Sequence, residues 1–196
     1  LLTDLSFIEQ FDIEATSLEG YLFPDTYYFF QDMTIEEVLT VMINQFWDNF
    51  NQTLIDRSNE LGFTIHEVIT LASIIEGEAL FDSERRTISS VYHNRLRKNI
   101  KLQADPTIQY LFPDGPKTLQ TKHLTINSPY NTYMYYGLPP GPINNPGIKS
   151  IEAALYPEDT DYLYFVAKGN GYHVFSTNQS DHLKAKREYK KQKRMK

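Results

Sequence analysis

Hydrophobic and polar positions alternate with helical period through the first half of the chain. In "TIEEVLTVMINQFWDNF", Val38, Val41, Met42 and Phe46 recur at helical spacing, and Thr34 with Glu37 has the spacing of a capping box. "TLIDRSNELG" predicts a second helix stopped by Gly62, a residue type that accepts the left-handed end of a helix. Thr64 and Glu67 make another capping-box pair, opening a helix predicted to run to about Leu80. Ser83 is spaced to cap the next helix, which carries Ile88, Val91, Tyr92, Arg95 and Leu96.

The period is lost after Asn99. Residues 101–147 hold eight of the ten prolines, five of them in "SPYNTYMYYGLPPGPINNPG". So many prolines exclude helix and central strand, and the interleaved tyrosines predict an ordered surface loop. "KSIEAALYP" predicts a short helix. "DYLYFVAKGNGYHVFS" predicts a β-hairpin with arms 162–167 and 172–176, turned by Lys168, Gly169, Asn170 and Gly171. A last helix starts near Gln179. The expected class is α+β: a mostly helical domain with one small antiparallel sheet and a long Pro/Tyr-rich loop.

Composition narrows the function. Hydrophobic residues are 41% of 196, enough for a core. The absence of cysteine excludes disulfides and thiolate chemistry. No apolar run approaches the ~18 residues of a membrane span, and no secretory signal is visible. The chain opens at Leu1, as expected of a trimmed piece. Residues 184–196 carry eight cations against Glu188, a net +7, which leaves −13 on the rest of a chain whose total is −6. An acidic body argues against nucleic acid as the ligand, and the basic segment reads as a solvated terminal helix. His66, His93, His123, His173 and His182 lack metal-site spacing, so no metal is expected. No phosphate loop or nucleophile elbow occurs, and no cofactor is expected.

"TLASIIEGEA", residues 70–79, sets a carboxylate in an apolar helix. At about 100° per residue, Val68, Ile69, Leu71, Ala72, Ile75, Ala79 and Leu80 share one face. Glu76 falls within that face and Glu78 near its edge. Such a Glu76 can pair with Arg85, Arg86 or Arg95, line a cleft, or stay protonated because desolvation raises its pKa. The last two suit a general acid. Gly77 costs about 0.5–1 kcal/mol relative to alanine, which is consistent with close approach by another segment or a ligand, or with a plain irregularity. Aromatic clusters at 21–30 and 130–136 suit either a core or sugar faces. "LQADPT" supplies Gln103, Asp105 and Thr107, and Asp105 offers a second carboxylate of the kind a glycoside hydrolase needs.

Taken in order, "LEGYLFPDTYYF", "LASIIEGEA", "VYHNRL", "LQADPTIQY", "SPYNTYMYYGLPPGPINNPG", "AALYP" and "YLYFVAKGNGYHVF" resemble the endolytic murein transglycosylases of the MltG/YceG-like family over residues 18–182. The resemblance implies a bacterial protein anchored in the cytoplasmic membrane by an N-terminal helix, with its catalytic part outside and the anchor lying beyond this chain. It implies a catalytic domain at 1–183, with an N-terminal helical part at 1–62 and a core at 63–183, followed by the basic segment 184–196. The implied substrate is nascent peptidoglycan glycan, with cell-wall synthesis proteins as compatible partners. The first glutamate of the family's "ASI-x-E-x-E" segment corresponds to Glu76. It would protonate the oxygen of the MurNAc-β-1,4-GlcNAc bond and then take the proton of the muramic C6 hydroxyl, giving a 1,6-anhydro end. The resemblance also implies that Gln103, Asp105, Tyr130, Asn131 and Thr132 line the glycan groove, with Asn145 and His173 nearby. Asn131 is a candidate to hold an N-acetyl group or position Glu76. Glu78 and Arg95 take supporting roles, Arg95 as an ion-pair partner of Glu78. Two alternatives stand beside this: a muramidase-type hydrolase using Glu76 with Asp105, and a non-catalytic glycan-binding scaffold.

Overall fold

The computed structural model describes residues 1–195, and of Arg194 and Met195 only the backbone. Lys196, the end of the basic segment, lies outside the described residues. The helices are α1 (Leu5–Ile8), α2 (Ile35–Asn49), α3 (Gln52–Leu61), α4 (Ile65–Glu78), α5 (Asp82–Arg97), α6 (Asp105–Gln109), α7 (Ile148–Leu155) and α8 (Gln179–Met195). The strands β1 (Tyr164–Ala167) and β2 (His173–Ser176) pair antiparallel, with Tyr164 opposite Ser176 and Ala167 opposite His173. The class is α+β and mostly helical, as the hydrophobic pattern predicts.

Local chemistry sets the helix ends. Thr34 and Thr64 each accept a hydrogen bond from the N3 amide, and Glu37 and Glu67 reach back to the cap amide. Both capping boxes are therefore complete, each removing two unsatisfied donors. Gly62 ends α3 at φ +74°. Ser83 does not cap α5. That helix begins at Asp82 with Phe81 as its N-cap and without a capping side chain. The Asp82 carboxylate is instead held by Arg85 at 3.0 Å and by Lys149.

The hub is α4. Val68, Ile69, Leu71, Ala72, Ile74 and Ile75 are all at most 1% exposed, and so are Thr70 and Ser73. Each fully buried aliphatic side chain contributes about 1.5–3 kcal/mol of transfer free energy. The two hydroxyls are buried without penalty because each donates to a carbonyl, Thr70 to His66 and Ser73 to Thr70. This helix has no polar face. Helix α7 lies along it through Ile151, Ala153, Ala154 and Leu155, and α3, α5 and α6 also pack on it. The small side chains of Ala153 and Ala154 suit close packing. The first turn, Ile65 to Glu67, and the last, Glu76 to Glu78, reach the surface.

The proline-rich stretch is irregular as expected, apart from the five-residue α6 and a 3₁₀ turn at Thr121–Thr125. The 21–30 aromatics divide: Tyr21 and Phe23 enter the core, while Tyr28 and Phe30 are exposed. Helix α8 packs on both strands and runs unbroken through 183–184. Among the described residues no helix is long and apolar enough to cross a membrane.

Gly77 is where α6 touches α4. A Cβ there would stand 2.7 Å from the Cβ of Pro106, a distance real side chains do not tolerate. We expect Gly77→Ala to lose about 1–3 kcal/mol through overpacking. Helix propensity alone predicts a gain of about 0.5–1 kcal/mol, so chemical denaturation distinguishes the two by sign.

Candidate active site

The last turn of α4, in which Glu76 and Glu78 are partly buried, sends its two carboxylates to different places. Glu76 points to α5 and α7. Its oxygens accept from Arg85 Nη1 at 3.2 Å and Nη2 at 3.3 Å, and Oε2 also accepts from the Gly147 amide at the start of α7. Arg85 is further fixed by Ser150 and Asp82. Of the options open to Glu76, the structure shows the pairing with Arg85, and Glu76 is not among the residues lining the two cavities described next. With α4 buried on all sides, the apolar arc does not mark one inner face, and Glu76 is drawn to the guanidinium.

Glu78 points to the loop side. Tyr92 of α5 donates its hydroxyl to Glu78 Oε1 at 2.8 Å. Glu78 lines a cavity of about 490 Å³ together with Arg95, Gln103, Asp105, Tyr133 and His173, closed on one flank by His182, Lys186 and Tyr189 of α8. A second cavity of about 450 Å³ is lined by Gln109, Tyr110 and Asn144, and it shares Glu78 and Asp105 with the first. The two carboxylates thus form the ridge where the cavities meet.

Burial pushes the Glu78 carboxyl up to about 7. The Tyr92 hydrogen bond opposes this, the Asp105 charge adds to it, and the Asp105 amide and Arg95 charge oppose it. A carboxyl in this range can hold a proton near neutrality and release it. The neighbouring phenols of Tyr92 and Tyr133 are pushed well above the ordinary value, chiefly by burial, so both remain donors.

Gln103 and Asp105 line the first cavity, as expected. Gln103 adopts φ +50°, its amide donating to the Thr132 carbonyl and its side-chain oxygen accepting from Arg95. Asp105 accepts from the Tyr133 hydroxyl.

The other expected groove residues do different work. Asn131 is fully buried, donating to the Leu124 and Ile126 carbonyls and accepting from the Tyr133 amide. Its polar atoms are spent on the loop, so it neither meets an N-acetyl group nor positions Glu76. Thr132 is buried, and its hydroxyl accepts from the Ala104 amide and pairs with Thr107. Tyr130 packs its ring against Tyr110 with centroids 4.8 Å apart, standing behind the Tyr110 wall of the second cavity without lining either one. Asn145 accepts from the Gly20 and Leu22 amides, fastening the N-terminal segment.

Arg95 makes no ion pair with Glu78 within 4.0 Å; its guanidinium donates to the carbonyls of Leu163, Lys101 and Leu102. Its charge still acts on Glu78 across the cavity. Among the described residues no cluster of His, Asp and Glu could hold a metal ion.

The sequence pattern of the YceG-like family matches residues 3–188. The chain belongs to the YceG-like family. It is 45% identical over 173 residues to a protein named endolytic murein transglycosylase from Bacillus subtilis, covering 88% of this chain and 48% of that one. It is 34% identical over 173 residues to a protein of the same name from Streptococcus pneumoniae, covering 84% of this chain and 31% of that one. A crystal structure of a yceG-like protein from Listeria monocytogenes superposes with a TM-score of 0.85 at 38% identity, covering 93% of this chain and 64% of that one. The chain thus spans half or less of the length of the curated relatives it matches.

Within this YceG-like site, Tyr92 and Tyr133 escape the sequence pattern. Tyr92 reads as one more member of α5's apolar stripe, and Tyr133 as one tyrosine in a cluster. The useful signal is the run Glu78, Tyr92 and Asp105, three polar groups at the ends or faces of helices joined by short connections.

Glu78 predicts a pH dependence of stability. Between the ordinary carboxyl value of 4.5 and about 7, the folded chain keeps a proton that the unfolded chain has released. Stability contributed by this group therefore falls as pH rises through that window. Thermal unfolding at pH 5 and pH 7.5 should show wild type losing more than Glu78→Gln; parallel losses would contradict the buried carboxyl.

Proposed function

We propose that this YceG-like chain carries the active site of an endolytic lytic transglycosylase acting on peptidoglycan glycan, with Glu78 as general acid and then general base. The observation that carries this is the position of the Glu78 carboxyl on the ridge shared by two cavities, where burial pushes it up to about 7. A polymer cut within its length needs room on both sides of the broken bond, and the two cavities supply it. Relatives named endolytic murein transglycosylase support the substrate class.

Protonated Glu78 gives its proton to the glycosidic oxygen as the MurNAc-β-1,4-GlcNAc bond breaks. The carboxylate then takes the proton of the muramic C6 hydroxyl as that oxygen closes on C1. The product ends in 1,6-anhydroMurNAc, and water takes no part. Tyr92 steadies the Glu78 carboxylate once it forms, and Asp105, held by Tyr133, favours its acid form beforehand. Glu76, by contrast, has its carboxylate engaged with Arg85, so it suits the role of tie between α4, α5 and α7 rather than proton donor. Peptidoglycan is assembled outside the cytoplasmic membrane, so the reading implies an extracytoplasmic catalytic part.

A hydrolase of the muramidase type is the second reading, with Glu78 in place of Glu76. It is favoured by the nearness of Asp105, which shares both cavity walls with Glu78.

Product masses decide between the two. Anhydro ends are lighter than reducing ends by one water, about 18 Da. We expect digestion of uncrosslinked glycan to give anhydro ends, Glu78→Gln to cut at least ~10³-fold more slowly, and Glu76→Gln to stay within about tenfold of wild type. If Glu76→Gln is the dead variant and Glu78→Gln is active, the assignment of the acid is wrong. Reducing ends would favour the hydrolase.

A further inference from the structure

A buried pair stands in the wall of the larger cavity. His173 of β2 lines it, and behind His173 is Glu84 in the first turn of α5. Both side chains are 11% exposed. The His173 amide donates to Glu84 Oε1 at 3.0 Å, and ring Nδ1 donates to Oε2 at 2.9 Å. A carboxylate accepts only, so Nδ1 carries the hydrogen, and in the neutral ring Nε2 is left as an acceptor. Among the described residues no protein group bonds to Nε2.

The ring's position is fixed from several directions. Phe165 meets it edge-on at 5.2 Å and Phe175 lies at 6.2 Å. The hairpin turn is pressed onto the α4–α5 elbow. Gly171 has φ +88°, a Cβ there would come 2.7 Å from Leu80 and Phe81, and Tyr172 stacks on Phe81 at 4.3 Å. Burying a carboxylate is costly unless its partners are well placed. Here both oxygens of Glu84 serve one histidine, whose remaining nitrogen looks for a donor. A lone pair there repels carboxylate or phosphate oxygens and suits an O–H.

We propose that Glu84 and His173 form a hydroxyl-binding unit of the cavity, in which His173 Nε2 accepts a hydrogen bond from a hydroxyl of the bound sugar and Glu84 fixes the tautomer that permits it. This rests on the glycan-cleaving reading of the Glu78 site. His173 orients substrate, and Glu84 is a positioning residue acting through it. The logic is that of a histidine whose working nitrogen is set by what its other nitrogen binds.

The test pairs a spectrum with an activity. Long-range ¹⁵N–¹H spectra above pH 7.5 should show hydrogen on Nδ1 and none on Nε2 in wild type. Glu84→Gln can donate its amide to Nδ1, which reverses the pattern. That variant should lose at least tenfold in kcat/KM on uncrosslinked peptidoglycan glycan while unfolding within a few degrees of wild type. His173→Gln, which can offer an oxygen near the place of Nε2, should retain more activity than His173→Ala. Titrating the same glycan into Glu78→Gln protein should shift the Nε2 resonance whether or not wild type cleaves, so this arm stands apart from the cleavage reading. The proposal is overturned by hydrogen on Nε2 in wild type, by a tautomer-reversed Glu84→Gln that cleaves normally, or by a glycan titration that leaves Nε2 unmoved.

Discussion

The contact of Pro106 with Gly77 governs the geometry of the site. It lets α6 press onto the last turn of α4, and that approach brings Asp105 beside Glu78. The same turn is held on its other side by Glu76, Arg85 and the Gly147 amide. Three consecutive residues therefore have three tasks: Glu76 ties helices together, Gly77 makes room, and Glu78 turns a carboxyl to the cavities. The energies differ accordingly. The partly buried pair of Glu76 with Arg85 offsets its attraction against the cost of desolvating two charges, whereas a methyl group forced between α4 and α6 has nowhere to go.

The proline-rich loop contributes mainly through its own rigidity. Asn131 and Thr132 satisfy backbone groups inside the loop and at its junction with Ala104. Tyr133 is thereby held at the cavity with its hydroxyl on Asp105. Asn131 and Thr132, which look like recognition chemistry in the sequence, thus serve as internal scaffolding, and of the tyrosines at 130–136 Tyr133 lines the Glu78 cavity. Helix α8 completes the enclosure, so a helix that reads as a solvated basic surface also forms the wall bearing His182 and Tyr189.

Much of the fold was legible because its signals are local. Both capping boxes, the Gly62 stop and the hairpin depend on residues within a few positions of each other, and they stand where the pattern puts them. The site was legible only as a neighbourhood. Gln103 and Asp105 were found near the carboxylates of α4, but the choice between Glu76 and Glu78 was beyond a periodicity argument. An amphipathic wheel assigns an inside and an outside, and α4 has core on every side. Which of two residues 200° apart meets an arginine and which meets a cavity depends on α5 and α6, whose placement is tertiary. Ser83 failed for a similar reason, since the true first turn is organised by Asp82 pairing with Lys149, a residue distant in sequence.

Gln103 holds a backbone shape that side chains other than glycine, asparagine and aspartate seldom take. A left-handed residue costs about 1–2 kcal/mol, and here the Thr132 carbonyl and Arg95 hold it in place. The cavity wall is in effect a loaded spring. Natural or engineered changes that release it would give a sturdier protein with a less sharply held wall, so this position sets durability against shape.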